Sequence, residues 1–331
     1  MRKLFAVTAA LALPGLCIAA RAAITIDTVA VGNAGNAPDT TGYGSVSYTY
    51  NIGKYEVTAA QYTAFLNAVA KTDTYGLYYS SMWSSSYGCM IQRSGSTGNY
   101  TYSVASEWAN RPVNYVSYWD SCRFANWLHN GQPTGAQNLT TTEDGAYYLN
   151  GYNGTDGRDI QRKAGWRWAV TSEDEWYKAA YYKGGNTNAG YWLYPTQSDT
   201  APSNQLVNPT DPGNNATYEN NGYTIGSPYY RTEVGAHENS DSAYGTFDQG
   251  GNIWEWNEAI YQGPGYAYRG LRGGWFDYNV YGLQSNNYYG YYPGSQDNSA
   301  GFRVSHVPEP SSIVALLGGL TGLAALRRRK A

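Results

Sequence analysis

The amino-acid sequence predicts a mixed α+β fold with few helices, short strands and much irregular loop. At several points, alternating apolar residues give way to apolar residues spaced three and four apart, which indicates a strand followed by a helix. Between these units the 331-residue chain is rich in turn-forming residues, with 39 glycines. The sequence contains no internal repeat and no second set of apolar core segments, so we expect one main domain.

The N-terminal part of this domain begins with a short strand and the first strand-to-helix unit. Isoleucines and valines alternate with polar residues between positions 24 and 31, which predicts a strand. Residues 50–58 alternate again, and Thr58 can then cap a helix. The apolar residues of that helix recur at three- and four-residue steps and are Tyr62, Phe65, Leu66 and Val69.

The second unit follows residues 72–110, a stretch rich in Tyr, Ser and Gly that predicts an irregular loop. A strand begins at Arg111, and Ser117 can cap a helix that runs from Tyr118 to about His129. We expect His129 to be a surface group favoured by the helix dipole. The buried side of this helix is expected to consist of Trp119, Phe124, Trp127 and Leu128.

The third unit begins with residues 166–170, which predict a buried strand. Ser172 and Glu175 then form the capping box of a helix. Residues 183–235 are dense in Asn, Pro and Gly and predict a long loop region.

The C-terminal part places glycine clusters beside large aromatic residues, in segments 244–256, 269–275 and 301–304. This combination is typical of places where strands and loops cross closely. Asp248 and Glu255 lie among these aromatics. If buried, both carboxylates need partners, and arginine or a hard cation would serve.

The order of these blocks resembles the formylglycine-generating-enzyme-like (sulfatase-modifying factor) family. The matching segments are 54–65, the strand and aromatic helix from Arg111, the Glu-x-Glu-Trp helix start at 173–176, and the C-terminal blocks. Ala169 and Thr171 depart from the family pattern, which usually has Arg and Pro there. The resemblance implies the family's α+β, C-type-lectin-like fold with short twisted sheets, few helices and much irregular loop.

The resemblance also implies a reaction, and the residues that this reaction needs can be looked for in the sequence. Active family members bind copper(I) through a cysteine pair, which suits this soft ion. They use it with O₂ to convert a substrate cysteine to formylglycine. The corresponding interval here, Gly273 to Phe302, contains no Cys, His or Met. We therefore expect that the domain binds no copper and is not catalytic. A carboxylate elsewhere in the chain could still act as a base, so an enzyme is the alternative. The alternative is a divergent metal-dependent oxidase or sulfatase-maturation factor.

The interval that lacks the cysteines is instead rich in Tyr, Asn, Ser and Gly, a composition favoured in binding surfaces. The sequence therefore predicts a module that binds a ligand or an extracellular-matrix component there, although the run also follows the tyrosine-rich composition of the chain. The predicted ligand-binding residues are Tyr278, Tyr281, Asn286, Asn287, Tyr288, Tyr289, Tyr291 and Tyr292.

The resemblance further implies structural calcium, which family members hold at two sites. Asn204 is the nearest counterpart of an asparagine ligand at the first site, and Asn252 with Glu255 corresponds to the second. Calcium suits these oxygen ligands, and a hydrogen-bonded core asparagine is the alternative for Asn252.

Both ends of the chain resemble processing signals. Residues 1–22 have the basic start, apolar run and small-x-small end of a secretory signal peptide. Residues 307–331 combine Pro-Glu-Pro, an apolar stretch at 313–326 and a basic cluster, which resembles the PEP-CTERM sorting tail of Gram-negative bacteria. This tail implies export, transient membrane anchoring, and cleavage by an exosortase-type enzyme, with the protein ending in the cell envelope or extracellular matrix. The main domain is then 23–306.

Composition limits the partners of this domain. Charged residues make up only 14% of the chain, and no basic patch lies outside the termini, so we expect no nucleic-acid partner. An exopolysaccharide or an envelope protein is a better candidate. Cys89 and Cys122 could form a disulfide in an oxidising envelope, but the sequence does not decide whether they do.

Overall fold

The structure of the protein is a computed structural model that describes residues 23–207, 210–263 and 265–308. Its helices are α1 (Ala59–Val69), α2 (Ser81–Ser84), α3 (Ser106–Ala109), α4 (Tyr118–His129) and α5 (Glu173–Tyr181). Its strands are β1 (Thr28–Val31), β2 (Tyr50–Gly53), β3 (Ile91–Ser94), β4 (Thr101–Val104), β5 (Trp168–Val170), β6 (Trp254–Gly263), β7 (Tyr266–Arg272), β8 (Tyr289–Tyr291), β9 (Ala300–Phe302) and β10 (Val304–His306). The predicted α+β class with few helices and short strands is confirmed.

Two four-stranded sheets bring the ends of the domain together. The first has the order β1-β2-β10-β5 with antiparallel pairs, so the last strand lies beside the first ones. The second has the order β8-β7-β6-β9, in which β6 and β9 run parallel. The long β6–β7 hairpin of this second sheet has a bulge between Asn257 and Ile260. Strand β8, which pairs with β7, belongs to the tyrosine-rich interval.

The predicted helices begin where the sequence places their caps. Thr58, Ser117 and Ser172 each accept a hydrogen bond from the backbone N–H three residues later, and each helix start is a complete capping box. A capping box satisfies backbone donors that the helix itself leaves free. Because this signal is local, the sequence predicts these three helix starts correctly.

The core lies between α1, α4 and the C-terminal strands. Phe124 of α4 contacts Tyr62 and Phe65 of α1, Trp127, and Phe302 of β9, with ring centroids 5.3–6.1 Å apart. The Tyr62 and Phe124 rings are stacked, and the other pairs meet at tilted or edge-to-face angles, as aromatic pairs prefer. The two amphipathic helices therefore bury the faces that their sequence periodicity predicts.

The prediction of an irregular loop over residues 72–110 is wrong. This stretch contains α2, α3 and the β3–β4 hairpin. Helices and strands of four residues are too short to show a periodic pattern, so tertiary contacts decide them. Asn67 of α1 both donates to and accepts from the backbone of Tyr102 in β4, which fixes the hairpin on the helix. By contrast, the described part of 183–235 has only isolated bridges, as predicted.

The two cysteines of the described chain are buried and free. Burial raises the pKa of both the Cys89 and the Cys122 thiol. His129 lies half-buried at the end of α4, where its Nδ1 accepts a hydrogen bond from the backbone of Arg167 rather than lying free at the surface. Both proposed processing signals lie outside the described residues, except for positions 307 and 308. No helix in the described part is long and apolar enough to cross a membrane.

Replacing Phe124 by Ala tests the assigned core. The substitution should lower the free energy of unfolding by about 3–5 kcal/mol, because it leaves a cavity among packed aromatic rings. Denaturant unfolding of the variant measures this change. Trp83→Ala is the control, since 47% of the Trp83 side chain is already exposed and its loss should change the stability by only about 0.5 kcal/mol. Equal losses in the two variants would contradict the assigned core.

Candidate ligand-binding site

A fully buried ion pair connects the C-terminal blocks to the rest of the domain. Arg303 donates from Nε and Nη2 to the two carboxylate oxygens of Glu255, each over 2.6 Å. Trp176 of α5 donates to the same carboxylate over 2.7 Å. Arg303 also donates to the backbone carbonyls of Gly53 and Phe247. Glu255 thus has the arginine partner that its burial among aromatics requires.

Two further carboxyl groups lie beside this pair. Asp248 accepts a hydrogen bond from the backbone N–H of Gly235, and Glu56 accepts one from the side chain of Asn252. Burial raises the pKa of Asp248 to about 6. Burial, followed by the charge of Asp248, raises the pKa of Glu56 well above its usual range. The two groups therefore favour a state in which at least one proton is bound.

Two of the residues predicted as calcium ligands are held by protein groups. Both oxygens of Glu255 accept hydrogen bonds from Arg303, and Asn252 contacts Glu56 and Thr232. Among the described residues, no group of three or more His, Cys, Asp or Glu side chains could hold a metal ion.

Asn204 has surroundings that fit a calcium ion better. Its side-chain amide faces the backbone carbonyls of Tyr218, Asn220 and Gly222 at 3.3, 3.5 and 2.9 Å. The nitrogen and oxygen of an asparagine amide are assigned from such contacts and can be exchanged by a flip. The Asn204 oxygen accepts a hydrogen bond from the Gln205 side chain over 3.0 Å. With that bond given up and the oxygen turned towards the carbonyls, Asn204 would complete a cluster of hard oxygen ligands of the type that calcium prefers.

The predicted ligand-binding residues do not all share one surface. Successive side chains of a strand point to opposite faces of its sheet. Tyr289 of β8 accordingly contacts Trp254, as does Tyr278. Tyr288 and Tyr292 contact a different set of tyrosines. Tyr291, also in β8, is half-buried. Outside the strand, Tyr281 is 64% exposed in a short 3-10 helix, Asn286 is exposed and Asn287 is half-buried.

One side of the second sheet carries a surface that we call the tyrosine face. It consists of Tyr43, Tyr261, Tyr266, Tyr268, Tyr288 and Tyr292. The ring of Tyr288 stacks on Tyr261 at 4.7 Å, and Tyr292 contacts Tyr268 at 4.8 Å. Tyr288 and Tyr292 are 49% and 39% exposed. The surface therefore joins β6, β7, both flanks of β8 and an N-terminal loop.

Sequence reasoning missed four members of the tyrosine face. Tyr266 and Tyr268 alternate along β7, and Tyr261 is the cross-strand partner of Tyr268. That alternation is the signal that could have found these three side chains. Tyr43 comes from a loop more than 200 residues away in sequence from β6 and carries no such signal.

Arg272 supports the tyrosine face from its buried side. Its guanidinium lies 5.1 Å from the ring centre of Tyr43 and 5.6 Å from that of Tyr288. It donates to the backbone carbonyls of Ser285 and Asn287 over 2.7 and 2.6 Å, so it fixes the loop before β8. Its remaining partner is the carboxylate of Glu173, 2.7 Å from Nε. The exposed rings therefore rest on a buried, charged support.

Glycine allows the tyrosines to lie close to the strands. Gly270 of β7 and Gly290 of β8 are cross-strand partners. A Cβ on Gly290 would lie 2.9 Å from the ring of Tyr261 and 3.2 Å from the Cβ of Tyr268. A side chain at this position would push the rings off the sheet.

Comparison with known proteins now assigns the family. The model of the sulfatase-modifying factor enzyme 1-like domain matches residues 29–307. The chain belongs to this family. No curated protein matches the sequence.

Solved structures of similar architecture are known. The crystal structure of CarF shares 20% identity, with 86% of this chain and 99% of that chain covered and a TM-score of 0.50. Treponema denticola variable protein 1 shares 18% identity, with 85% and 95% covered and a TM-score of 0.49. PvdO from Pseudomonas aeruginosa shares 15% identity, with 85% and 92% covered and a TM-score of 0.45. At this identity, the likeness to CarF concerns the fold of the sulfatase-modifying factor domain.

The raised pKa of Asp248 predicts a specific dependence of stability on pH. A carboxyl group whose pKa is higher in the folded state stabilises the fold while it is protonated, and this contribution is lost as the pH rises. The loss of stability should begin near pH 4, be complete somewhat above pH 6 and amount to about 3 kcal/mol. Asp248→Asn, which resembles the protonated form, should flatten this part of the profile.

Denaturant unfolding between pH 4 and 8 measures the effect. Asp199→Asn is the control, because the Asp199 side chain is 61% exposed. Profiles of the original protein and Asp248→Asn that run parallel would show that the carboxyl does not titrate in this range.

Proposed function

We propose that this sulfatase-modifying factor domain is a ligand-binding module and that the tyrosine face is its binding surface. The observation that carries the proposal is the group of partly exposed tyrosines fixed on one side of the β6–β7–β8 sheet. Tyrosine supplies a large amphipathic contact area with little conformational freedom to lose on binding. Here the support from Arg272 reduces that freedom before any ligand arrives, which favours affinity.

The chemistry of the described residues supports binding over the family's copper-dependent oxidation. The interval between Gly273 and Phe302 has no cysteine. Cys89 and Cys122 are both fully buried, and burial raises the pKa of both thiols. Copper(I) requires accessible thiolates, which a raised thiol pKa disfavours. The proposed module therefore acts without the family's oxidase reaction.

The proposal places this module outside the inner membrane. The signal-peptide pattern of residues 1–22 and the sorting-tail pattern of residues 307–331 support export, transient anchoring by 313–326 and processing by an exosortase-type enzyme. The low content of charged residues supports a partner other than nucleic acid. An exopolysaccharide or envelope protein in the cell envelope or matrix is the proposed ligand.

Calcium is the proposed structural cofactor, held at Asn204 and the carbonyls of Tyr218, Asn220 and Gly222. These oxygens tie one part of the long 183–235 loop region to another. A cation there would stabilise a region that has little regular secondary structure of its own.

Replacing Tyr288 and Tyr292 together by Ala tests the binding surface. The full-length protein should bind at least one of a set of probe polymers: dextran, mannan, galactan, alginate or gelatin. The double variant should lower that affinity at least about tenfold, since it removes the most exposed rings of the tyrosine face. Tyr148→Ala is the matched control, because Tyr148 is 52% exposed and lies outside this face. Isothermal titration calorimetry measures the affinities.

Two results would overturn the proposed function. One is the absence of binding to every polymer in the set. The other is binding that the Tyr288/Tyr292 double variant retains, with both proteins folded as judged by circular dichroism.

Elemental analysis and chelation test the calcium proposal. The purified protein should contain about one calcium per chain, and removing it with EGTA should lower the melting temperature. Asn204→Ala should contain less calcium and show a smaller response to EGTA, whereas exposed Asn188→Ala should behave like the original protein. Copper or iron in place of calcium would favour the alternative of a divergent metal-dependent oxidase.

A further inference from the structure

A cleft of about 290 Å³ opens at the bulge of β6, beside the tyrosine face. The bulge places Glu258 and Ala259 on one wall, and the start of α5 contributes Glu173 and Asp174. The remaining lining residues are Gln161, Arg162, Ser172 and Arg269. Bulges often re-aim side chains at functional sites. The volume corresponds to roughly ten water molecules and would accommodate one sugar ring.

Buried polar atoms at this cleft lack partners. Glu173 is 8% exposed and its Oε2 has no hydrogen bond, and Arg269 is 1% exposed with an unpartnered Nε. The fully buried Asn257 has an unpartnered Nδ2. The Asn257 amide lies close enough to Glu173 to oppose the rise that burial causes in the pKa of this carboxyl group. These atoms are enclosed by the protein, so a ligand in the cleft would instead contact the partly exposed lining residues Gln161, Arg162, Asp174 and Glu258.

The charges around the cleft restrict the chemistry of that partner. An anionic ligand would lie beside the carboxylates of Glu173, Asp174 and Glu258. A cationic ligand would lie beside the guanidinium groups of Arg162 and Arg269. The partly exposed lining offers both donors, on Gln161 and Arg162, and acceptors, on Asp174 and Glu258. An uncharged group that can donate and accept at once fits this set, and a hydroxyl has that property.

The cleft is continuous with the tyrosine face. The residue after Tyr43, Gly44, donates its backbone N–H to Asp174 over 2.8 Å. Glu173 is also the ion-pair partner of Arg272, which supports Tyr43 and Tyr288. A ligand with several linked units could therefore occupy the polar cleft with one unit and contact the aromatic rings with the next.

We propose that this cleft is a subsite for one sugar residue of an uncharged polysaccharide, whose adjoining residues lie over the tyrosine face. Sugar rings combine hydroxyl groups, which suit the mixed donors and acceptors that line the cleft, with C–H faces that suit the rings of Tyr288 and Tyr261. This inference rests on the proposed binding function and adds both the ligand class and a second contact region to it.

The test compares cleft variants of the full-length protein on dextran, mannan and galactan, with alginate and gelatin as charged and peptide probes. Binding to at least one uncharged polysaccharide is expected. Glu258→Gln should weaken it about tenfold, because a ligand hydroxyl would lose a charged acceptor. The carboxylate of Glu258 accepts hydrogen bonds from Tyr147 and Arg162, neither of which belongs to the tyrosine face. Ala259→Leu should weaken it by narrowing the cleft without changing any charge. Tyr148→Ala should leave the dissociation constant unchanged, and melting temperatures show whether each variant is folded.

The outcomes separate the two proposals. Binding of an uncharged polysaccharide that depends on Tyr288 and Tyr292 but not on Ala259 or Glu258 would overturn the cleft subsite and leave the tyrosine face in place. Tyrosine-dependent binding of only alginate or gelatin would overturn the assigned ligand class. Binding that is independent of the tyrosines would overturn the proposed function itself.

Discussion

The buried pair between Arg303 and Glu255 is the interaction on which much of the architecture depends. It joins β6 to the segment between β9 and β10, and its further bonds reach α5 and the end of β2. Two charges can remain buried only when their hydrogen-bonding groups are satisfied, and removing one partner from such a pair typically costs about 3–5 kcal/mol. These contacts connect the two sheets and fix the position of the strand that leads to the proposed binding surface.

The second sheet, which this ion pair helps to fix, carries the proposed binding surface. Gly290 leaves room for the ring of Tyr261 to lie on the strands, while Arg272 ties the loop before β8 to α5 through Glu173. The rings of Tyr288 and Tyr261 are thereby presented without much remaining freedom. The same arrangement leaves a polar cleft at the β6 bulge, where the sheet pairing is interrupted. The polar cleft thus arises from a local departure from regular sheet geometry, whereas the tyrosine face beside it lies on regularly paired strands.

Membership of the sulfatase-modifying factor family settles the fold but not the reaction. The family model covers 29–307, and the strands that surround the interval Gly273 to Phe302 are in place. The interval itself is rich in tyrosine, asparagine, serine and glycine and contains no cysteine. A fold can keep its core while its site changes, because the core depends on packing and the site on a few exposed side chains.

The sequence by itself determined the fold class, three capped helix starts and the absence of cysteine from the interval. These features depend on neighbouring residues or on composition. Only the tertiary structure decided the four-residue helices, the arginine that pairs with Glu255, the division of the tyrosines between two faces, and the inclusion of Tyr43. Each depends on contacts between distant parts of the chain, or on sheet register, in which a shift of one residue reverses every side chain.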